Sequence, residues 1–349
     1  MLVRGLLLSV TGIALIAYLL ISSLGTQIAS TQLMPEQGLE ASAQTLAETT
    51  PPDSSESMLF RQADVTNPLN VVDDMRDSYC LWPDDTLGGI AAAAGITVDQ
   101  IMAANPDYTG FAGSTIFLPE GSIPPHEWTT PRPSVPTIDQ LPFGVSGYYL
   151  SYDNRTKRVA LSFDIGYTPE NHEFMRWLKE QGIRATFLVM GYPLSRYPEV
   201  IGHILDNGHE LGNHSYTHEN MQGHRPEDIR SELNLTEKLV REARPNATTK
   251  PLFRAPFGAI TPMMTQIAQE EGYRVVGWTI DSRDWNEGIT AEKIYAQVTQ
   301  NVCPGAIIAL HDINAESKIA LPQIIDYLRR KGYTFATVSE LIYPPQTGG

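Results

Sequence analysis

Two histidines in the segment NHSYTH have the spacing of a metal-binding pair. His214 and His218 are separated by three residues, and on a helical turn this spacing places both imidazoles on one side, where they can share a divalent ion. A lone histidine is more often structural, but this pair directly follows the strand-like segment HELGN. The spacing therefore predicts a metal site, with zinc as the expected ion and cobalt as the alternative.

Other polar residues stand where apolar, strand-like segments end. They are Asp164, Arg254, Asp281 and His311. In barrel enzymes the reactive groups lie at the carboxyl ends of parallel strands, so we expect these side chains to converge with the histidine pair. A carboxylate and an imidazole beside a metal site can act as the base and the acid of a metal-assisted hydrolysis.

The segments that must position these residues alternate between strands and amphipathic helices from Lys157 onward. Helix-like segments such as 226–243 and 289–302 separate the strands. This alternation predicts an α/β domain with a parallel sheet, and a strand count of about seven favours a distorted or incomplete (β/α) barrel over a full one of eight units. The seven predicted strands are VALSFDI, ATFLVM, HELGNH, LFRAP, RVVGWTI, AIIALH and TFATVS.

A separate small unit is predicted at residues 77–120. Its elements are a strand, two helices and a second strand, at 78–82, 86–94, 98–104 and 115–119. Asp85 and Thr97 are the expected N-caps of the two helices. Gly95 is expected to end the first helix, and Asn105 with the following proline to stop the second.

The chain begins with an apolar segment. Residues 6–24 form a run of 19 residues without a charge, preceded by Arg4, which is long enough to span a bilayer. We predict that residues 1–25 are a signal peptide or a membrane anchor, and the lack of a clean small-x-small cleavage site favours the anchor. Either segment would export the rest of the chain, so we expect an extracytoplasmic protein, anchored to the membrane or secreted.

Composition limits the other parts of the chain and its partners. Residues 26–76 are polar and acidic and predict a disordered linker, whereas the Pro-rich residues 121–150 predict a stiffer one. The 25 Lys and Arg against 40 Asp and Glu give a formal charge of −15, which excludes nucleic acid as an expected partner. Cys80 and Cys303 are far apart in the sequence and favour two buried free thiols over a disulfide. We expect a monomer.

Residues 77–120 resemble a LysM module. The resemblance is carried by PDDTL before the first helix, ITVDQI at the start of the second, ANP at its end and the closing IFLP. LysM modules bind polymers that contain N-acetylglucosamine, so the resemblance implies peptidoglycan or chitin as a partner. A copy that has lost binding and acts only as a spacer is the alternative.

Residues from about 157 to 342 resemble the NodB-homology polysaccharide deacetylases, carbohydrate esterase family four, and we place this domain at 151–345. Five ordered motifs carry the resemblance, namely SFDIG, HSYTH, RAPFG, DSRDW and ALH, which begin at residues 162, 214, 254, 281 and 309. The resemblance implies a hydrolase that removes N-acetyl groups with the help of a divalent metal ion.

The resemblance also implies a role for each matched polar residue. Asp164 would be the general base and His311 the general acid. Arg254 would pair with Asp164 and keep it ionised. Asp284, with Asp281 as second choice, would orient His311.

Apolar residues of the same motifs would contact the substrate. Trp285 and Leu310 would wall the space for the acetyl methyl group, and core packing is the alternative for both. The backbone N–H of Phe257 would help to stabilise the oxyanion. We also expect Tyr167 to contact the substrate.

The first motif departs from the family at Ile165. The family has an aspartate there that is a metal ligand, and isoleucine cannot coordinate an ion. Glu170, Asn171 and His172 are candidate substitutes, although a solvated helix start is the favoured explanation for them. Family members that act on N-acetylmuramic acid also break this motif, in a form that FDIGY resembles. An aspartate restored at position 165 is expected to tighten metal binding.

These observations predict an exported, wall-associated hydrolase that removes N-acetyl groups from a cell-wall polysaccharide, held on its substrate by the small unit. The substrate would be peptidoglycan N-acetylglucosamine or N-acetylmuramic acid, or a chitin-type oligomer. One alternative is an inactive wall-glycan-binding protein, but a mere binder needs neither Asp164 nor His311. Another is a metal-independent amide hydrolase of the same superfamily, which would leave His214 and His218 without a role.

Overall fold

A computed structural model of the chain describes the small unit and the α/β domain. The residues described are 69, 76, 78–81, 85–106, 115–123, 148–149, 156–166, 171–311 and 314–342. The predicted N-terminal segment lies outside them. So do the two predicted linkers, apart from residues 69, 76, 121–123 and 148–149.

The small unit is a two-stranded sheet covered on one side by two helices. Its elements are β1 (Ser78–Cys80), α1 (Leu87–Ala94), α2 (Val98–Ala104) and β2 (Thr115–Phe117). The strands pair in antiparallel fashion, which confirms the predicted βααβ order. An apolar cluster fills the space between sheet and helices and includes Tyr79, Ile90, Ile101 and Ile116.

The helix ends of the small unit follow the predicted signals with one exception. Thr97 caps α2, and Gly95 ends α1 in the left-handed conformation with a φ of 70°. The predicted cap Asp85 is wrong, because Thr86 caps α1 and the Asp85 carboxylate accepts a hydrogen bond from Tyr79 Oη at 2.8 Å. Within the described residues no single helix is long and apolar enough to cross a membrane, and only the bent pair of α1 and α2 passes on length and composition together.

The α/β domain is built on one sheet whose strand pairs are all parallel. Its strands are β3 (Tyr148–Tyr149), β4 (Arg158–Ile165), β5 (Thr186–Val189), β6 (Glu210–Asn213), β7 (Leu252–Phe253), β8 (Arg274–Val276), β9 (Ile280–Asp281), β10 (Ile307–His311) and β11 (Thr334–Ala336). Their spatial order is β3-β8-β7-β6-β5-β4-β10-β9, and β11 pairs with the first half of β4.

All seven predicted strand segments belong to this sheet, which confirms the predicted incomplete barrel. Within the described residues the sheet has nine strands, because β3 is added and the segment RVVGWTI divides into β8 and β9. The division follows from pairing, since β8 lies beside β7 whereas β9 lies beside β10. In the part of the chain that the structure describes, the path of strands ends at β3 and β9 and does not close into a barrel.

All helices of the domain except the last pack on the outer face of the sheet, and the last one packs with Ala160 and Ile307 on the other face. The helices are α3 (Asn171–Glu180), α4 (Gly191–Leu194), α5 (Val200–Asp206), α6 (Pro226–Ala243), α7 (Pro262–Glu270), α8 (Ala291–Thr299), α9 (Ala315–Arg330) and α10 (Val338–Ile342), with a short 3-10 helix at Pro256–Gly258. The predicted helix at 226–243 is therefore confirmed, and the one predicted at 289–302 is shorter.

The central strand β4 separates the two sides of the sheet. The odd-numbered residues of β4 belong to the largest apolar cluster, together with residues of α3, α5, α8 and α9; they are Val159, Leu161, Phe163 and Ile165. Ala160 belongs to a second cluster on the other side. Because successive residues of a strand point to opposite faces, Asp164 lies on the inner side and Ile165 on the side that packs against helices.

The prediction of two free thiols is wrong. Cys303 is disulfide-bonded, and no cysteine in the described part of the chain is free. The other cysteine of the sequence is Cys80, at the end of β1. The large separation of the two cysteines in the sequence gave no sign of a disulfide. In the folded chain, β1 of the small unit lies against the segment before β10, where Ser78 Oγ donates a hydrogen bond to the Val302 carbonyl.

Candidate active site

The carboxyl ends of the parallel strands bring the predicted polar residues together. Asp164 and His311 are register partners on the neighbouring strands β4 and β10. His214 follows β6, and Arg254 follows β7. Asp164, His214 and Arg254 are all buried, so their charges act on one another with little screening by solvent.

Arg254 fixes the Asp164 carboxylate. Its Nη1 donates to Asp164 Oδ1 at 2.7 Å, and its Nη2 donates to Ser162 Oγ at 2.9 Å and to the Gly277 carbonyl at 2.8 Å. Burial by itself raises the pKa of Asp164, but the positive charge of Arg254 and the adjacent imidazoles together outweigh it and hold the pKa below its ordinary value. Asp164 is therefore ionised at neutral pH.

His214 is held in one tautomer by the backbone. Its Nδ1 lies 2.8 Å from the Arg254 carbonyl, so this nitrogen carries the proton and donates it. Its Nε2 is left with a lone pair, 3.7 Å from Asp164 Oδ2. Burial lowers the pKa of His214 to about 4. The imidazole is therefore neutral at physiological pH and able to act as a ligand.

The histidine pair lies on an irregular loop and not on the helical turn that its spacing suggested. Ser215 and His218 adopt positive φ values of 65° and 61°, and the ring centroids of His214 and His218 are 4.9 Å apart. The Ser215 N–H donates to Asn213 Oδ1 at 2.9 Å, and the His218 N–H donates to Ser215 Oγ at 3.0 Å. These short-range bonds replace helical ones and still bring both rings together.

Glu232 of α6 holds the middle of the same loop and was not anticipated from the sequence. Its Oε2 accepts hydrogen bonds from the N–H groups of Tyr216 and Thr217, at 2.9 and 2.8 Å, and from Thr217 Oγ1 at 3.0 Å. One carboxylate oxygen thus satisfies two backbone donors of the segment between His214 and His218. No local sequence signal marks this residue, because its effect depends on where α6 packs.

His311 is held by Asp284. Its Nδ1 lies 2.9 Å from Asp284 Oδ1, and its Nε2 lies 3.9 Å from Asp164 Oδ2. Burial alone would lower the pKa of His311, but the hydrogen bond to Asp284 and the charges of the nearby aspartates raise it above its ordinary value. Asp281 makes other contacts, accepting from the Arg283 N–H at 2.8 Å and from Trp285 Nε1 at 3.3 Å.

The predicted apolar contacts differ in their placement. The side chains of Phe257 and Trp285 are 68% and 61% exposed, and the Phe257 ring lies 4.9 Å from that of His218. Leu310 is fully buried in the largest apolar cluster. The predicted pocket role of Leu310 is therefore wrong, and its alternative of core packing is what the structure shows. Tyr167 lies outside the described residues.

The side chains present can provide two imidazole ligands to a metal ion, those of His214 and His218. His214 has the arrangement of many metal-binding histidines, with one ring nitrogen bonded to a carbonyl and the other carrying a lone pair. Ile165 is buried on the helix side, and His172 lies 5.2 Å from the ring of His203. Asn171 is buried at the start of α3, and Glu170 lies outside the described residues. Within those residues no group of three or more His, Cys, Asp or Glu side chains suits a metal ion.

Two family models match the chain. The model described as polysaccharide deacetylase matches residues 151–276, and the model described as LysM domain matches residues 83–119. The first match contains Asp164, His214 and Arg254. The second covers most of the small unit.

Individual relatives are similar over the α/β domain. The chain is 34% identical over 203 residues to a peptidoglycan-N-acetylglucosamine deacetylase of Bacillus cereus, covering 54% of this chain and 90% of that protein. It is 31% identical over 189 residues to the peptidoglycan-N-acetylglucosamine deacetylase PgdA of Listeria monocytogenes, covering 53% of this chain but only 39% of that protein. The chain thus spans well under half the length of the Listeria relative.

A solved structure has the same fold. The crystal structure of the Bc1960 peptidoglycan N-acetylglucosamine deacetylase, in complex with a substituted benzamide, superposes with a TM-score of 0.53 at 28% sequence identity. The superposition covers 56% of this chain and 92% of that one.

Proposed function

This chain belongs to the polysaccharide deacetylase family, and from that membership we propose that it hydrolyses the N-acetyl groups of N-acetylhexosamine residues in a cell-wall polysaccharide. One observation carries the proposal. Asp164 Oδ2 lies 3.9 Å from His311 Nε2, and each group is held by a separate partner that favours its charged form. A base and an acid are thereby placed side by side, as amide hydrolysis requires.

Asp164 is the proposed general base. Its Oδ1 is engaged by Arg254 Nη1, whereas its Oδ2 faces both His214 and His311. With its pKa held below the ordinary value, the carboxylate is ionised at neutral pH. Oδ2 would take a proton from water as the water oxygen attacks the acetyl carbonyl carbon.

His311 is the proposed general acid. Because Asp284 occupies its Nδ1, the Nε2–H is the group that faces the reaction centre. The raised pKa increases the fraction of imidazolium at neutral pH. When the carbon–nitrogen bond breaks, Nε2 would give its proton to the sugar nitrogen, and acetate and a free amine would leave.

His214 and His218 are the proposed metal ligands. A divalent ion held there would supply an electrophile for the acetyl carbonyl oxygen. The chain itself contributes a neutral imidazole at His214, oriented by the Arg254 carbonyl, and the loop bonds that bring the ring of His218 to it.

The exposed rings beside these groups are the proposed sugar contacts. Phe257 lies next to His218, and Trp285 is fixed by its Nε1 bond to Asp281. Flat aromatic surfaces with a polar edge are suited to an amphipathic ligand such as a sugar ring. The backbone N–H of Phe257 is the proposed donor to the oxyanion.

Peptidoglycan is the proposed substrate. The relatives in Bacillus cereus and Listeria monocytogenes are named for the N-acetylglucosamine of peptidoglycan. Because the FDIGY motif resembles that of family members acting on N-acetylmuramic acid, this sugar is the second candidate. Chitin-type oligomers are further candidates. The LysM-like unit would hold the chain on the wall. Export through residues 1–25 would place it outside the cytoplasm, anchored or released.

A metal-independent hydrolase of the same superfamily is the second candidate. The observation that favours it is the absence of a third metal-binding side chain among the described residues. An inactive binder is disfavoured, because burying Arg254 with Asp164 stabilises a charge that binding alone does not need.

Acetate release from peptidoglycan and from chitin oligomers tests the proposal. The full chain is treated with a chelator, assayed, and assayed again after zinc or cobalt is added. We expect activity that falls with the chelator, recovers with metal and is lost in Asp164→Asn, while the surface variant Glu242→Gln on α6 retains it. Activity that is unchanged by the chelator would favour the metal-independent candidate. If no acetate is released under any condition, both the metal-assisted and the metal-independent hydrolase are refuted.

A further inference from the structure

The two-stranded sheet of the small unit is covered on both faces. One face, which includes Tyr79 and Ile116, packs against α1 and α2. Successive residues of a strand alternate between faces, so Ser78 and Thr115 lie on the other one. That second face contacts the α/β domain.

The segment before β10 provides the first set of contacts. Ser78 Oγ donates to the Val302 carbonyl. Thr115 Oγ1 donates to the Asn301 carbonyl at 2.6 Å and lies 3.7 Å from Cys303 Sγ. Both strands of the small unit are therefore bonded to the same short segment.

A second connection adds to the attachment. Lys331 Nζ, just before β11, donates to the Arg76 carbonyl, and the Arg76 guanidinium lies 4.3 Å from the Phe117 ring centroid. Cys303 is disulfide-bonded, and the remaining cysteine of the sequence is Cys80 in β1. Disulfides persist in exported proteins, which matches the proposed location.

These contacts lie at the end of the sheet opposite the active site. Residues 301–303 precede β10 and Lys331 precedes β11, so both connections are at the amino ends of parallel strands. Asp164 and His311 are at the carboxyl ends. β10 alone, from Ile307 to His311, spans roughly 13 Å at about 3.3 Å per residue.

We propose that this chain engages two separate glycan segments at once, one at the small unit and another at the active site. The proposal rests on the proposed deacetylase function and on glycan binding by the LysM-like unit. A unit on a flexible tether could deliver the segment it holds into the active site, whereas one bonded to the opposite end of the sheet cannot. The docked small unit instead raises the local concentration of neighbouring glycan strands at the active site, and it does not form part of the active-site cleft.

A bridging experiment tests this arrangement. The full-length Asp164→Asn chain, which should bind without turnover, is mixed with insoluble peptidoglycan and a fluorescent, soluble N-acetylglucosamine oligomer. We expect the label to sediment only when protein is present, and to rise and then fall as protein increases, as for any bivalent linker. If the protein sediments and also binds the oligomer in free solution, yet no label sediments, the two sites share one segment and the proposal is overturned.

Parallel measurements separate this result from failure of the proposed function. Acetate release by the parental chain and its sedimentation with peptidoglycan are measured in the same buffer. Loss of acetate release overturns the proposed function and this proposal with it, whereas loss of sedimentation with acetate release intact overturns this proposal alone. The docked arrangement is checked by titrating thiols in the folded, non-reduced full chain. No reactive thiol is expected, and two would overturn the docking.

Discussion

The Asp284 carboxylate contacts both the imidazole ring and the backbone N–H of His311. Asp284 Oδ1 lies 2.9 Å from His311 Nδ1, and the His311 N–H donates to the two carboxylate oxygens at 3.0 and 3.1 Å. Ser282 Oγ and Ser317 Oγ donate to the same carboxylate at 2.8 and 2.9 Å. This buried network fixes the tautomer of His311, with Nδ1 as donor and Nε2 directed toward Asp164.

Replacing Asp284 with asparagine should therefore damage the acid more than the fold. The Asp284→Asn side chain keeps the size but loses the charge that favours the imidazolium, so the pKa of His311 should fall. We expect kcat/KM to drop by about 10²- to 10⁴-fold, the range typical of a general acid or base, and the alkaline limb of its pH profile to move to lower pH.

Asp281→Asn is the matched control for that variant. Asp281 contacts the Arg283 N–H and Trp285 Nε1, and its charge acts on His311 more weakly than that of Asp284. A small shift of the alkaline limb is expected. A larger loss in Asp281→Asn than in Asp284→Asn would contradict the assignment of Asp284.

The parental pH profile should be bell-shaped. Asp164 must be deprotonated to act as base, so activity is lost as pH falls toward its depressed pKa, and His214 becomes protonated near its pKa of about 4. His311 must be protonated, so activity is lost as pH rises through a pKa above its ordinary value. The measurement is kcat/KM against pH with added zinc. An alkaline limb below the ordinary histidine pKa would exclude His311 as the acid.

A histidine outside the site should link stability to pH. His209 Nε2 lies 2.7 Å from the Met175 carbonyl, and its Nδ1 accepts from the Ala185 N–H at 3.2 Å. Burial lowers its pKa below the ordinary 6.5. As the pH falls, His209 therefore takes up a proton in the unfolded chain before it does so in the folded chain. The contribution of His209 to the free energy of unfolding is fully present above about pH 6.5 and is lost as the pH falls below that value.

Thermal melts of the parental chain and of His209→Gln test that linkage. We expect the variant to melt at a lower temperature at neutral pH, because it removes two buried bonds. Its melting temperature should also fall less on acidification than that of the parental chain. Equal slopes of melting temperature against pH would show that His209 does not contribute.

The strand pattern predicted which residues would meet, because parallel strands place their carboxyl ends at one edge and Asp164 and His311 end such strands. It did not predict how they are held. Glu232 acts from α6 across a tertiary contact, and the positive φ values at Ser215 and His218 depend on side-chain bonds that no spacing rule encodes. The disulfide of Cys303 likewise depends on how the small unit docks.

Glu232 should control metal affinity through the loop that carries the histidines. Glu232→Ala removes three hydrogen bonds from Tyr216 and Thr217, and the loop can then relax its strained backbone. We expect zinc or cobalt binding to weaken about 10- to 100-fold, as for other groups that orient metal ligands. The measurement is a competition titration with a chelator, read from the visible spectrum of cobalt.

Two further variants on the same helix separate positioning from general damage. Glu232→Gln keeps an acceptor oxygen and should restore most of the affinity, because a single oxygen accepts all three bonds. Glu242→Ala removes only a surface ion pair with Lys238 at 3.6 Å and should leave affinity unchanged. Equal affinity in Glu232→Ala and the parental chain would remove Glu232 from the metal site.

Ile165 shows where motif comparison and strand geometry disagree. By comparison with the family, an aspartate at 165 is expected to tighten metal binding. In the structure Ile165 is 2% exposed and packs in the cluster formed with α3, α5, α8 and α9, on the opposite face of β4 from Asp164. The alternation in VALSFDI already places neighbouring residues on opposite faces.

Ile165→Asp should consequently destabilise the fold without adding a ligand. A carboxylate in an apolar cluster is costly to bury, by several kcal/mol when no partner compensates it, whereas Ile165→Val should cost only about 0.5 to 1.5 kcal/mol. Urea unfolding measures the free-energy difference, and chelator competition on the folded fraction measures metal affinity. We expect a large loss of stability with unchanged affinity. Tighter metal binding in Ile165→Asp would contradict this expectation. It would mean that the end of β4 can turn residue 165 toward His214, and that the site has two protein ligands because residue 165 is an isoleucine and not because of the direction in which the strand points it.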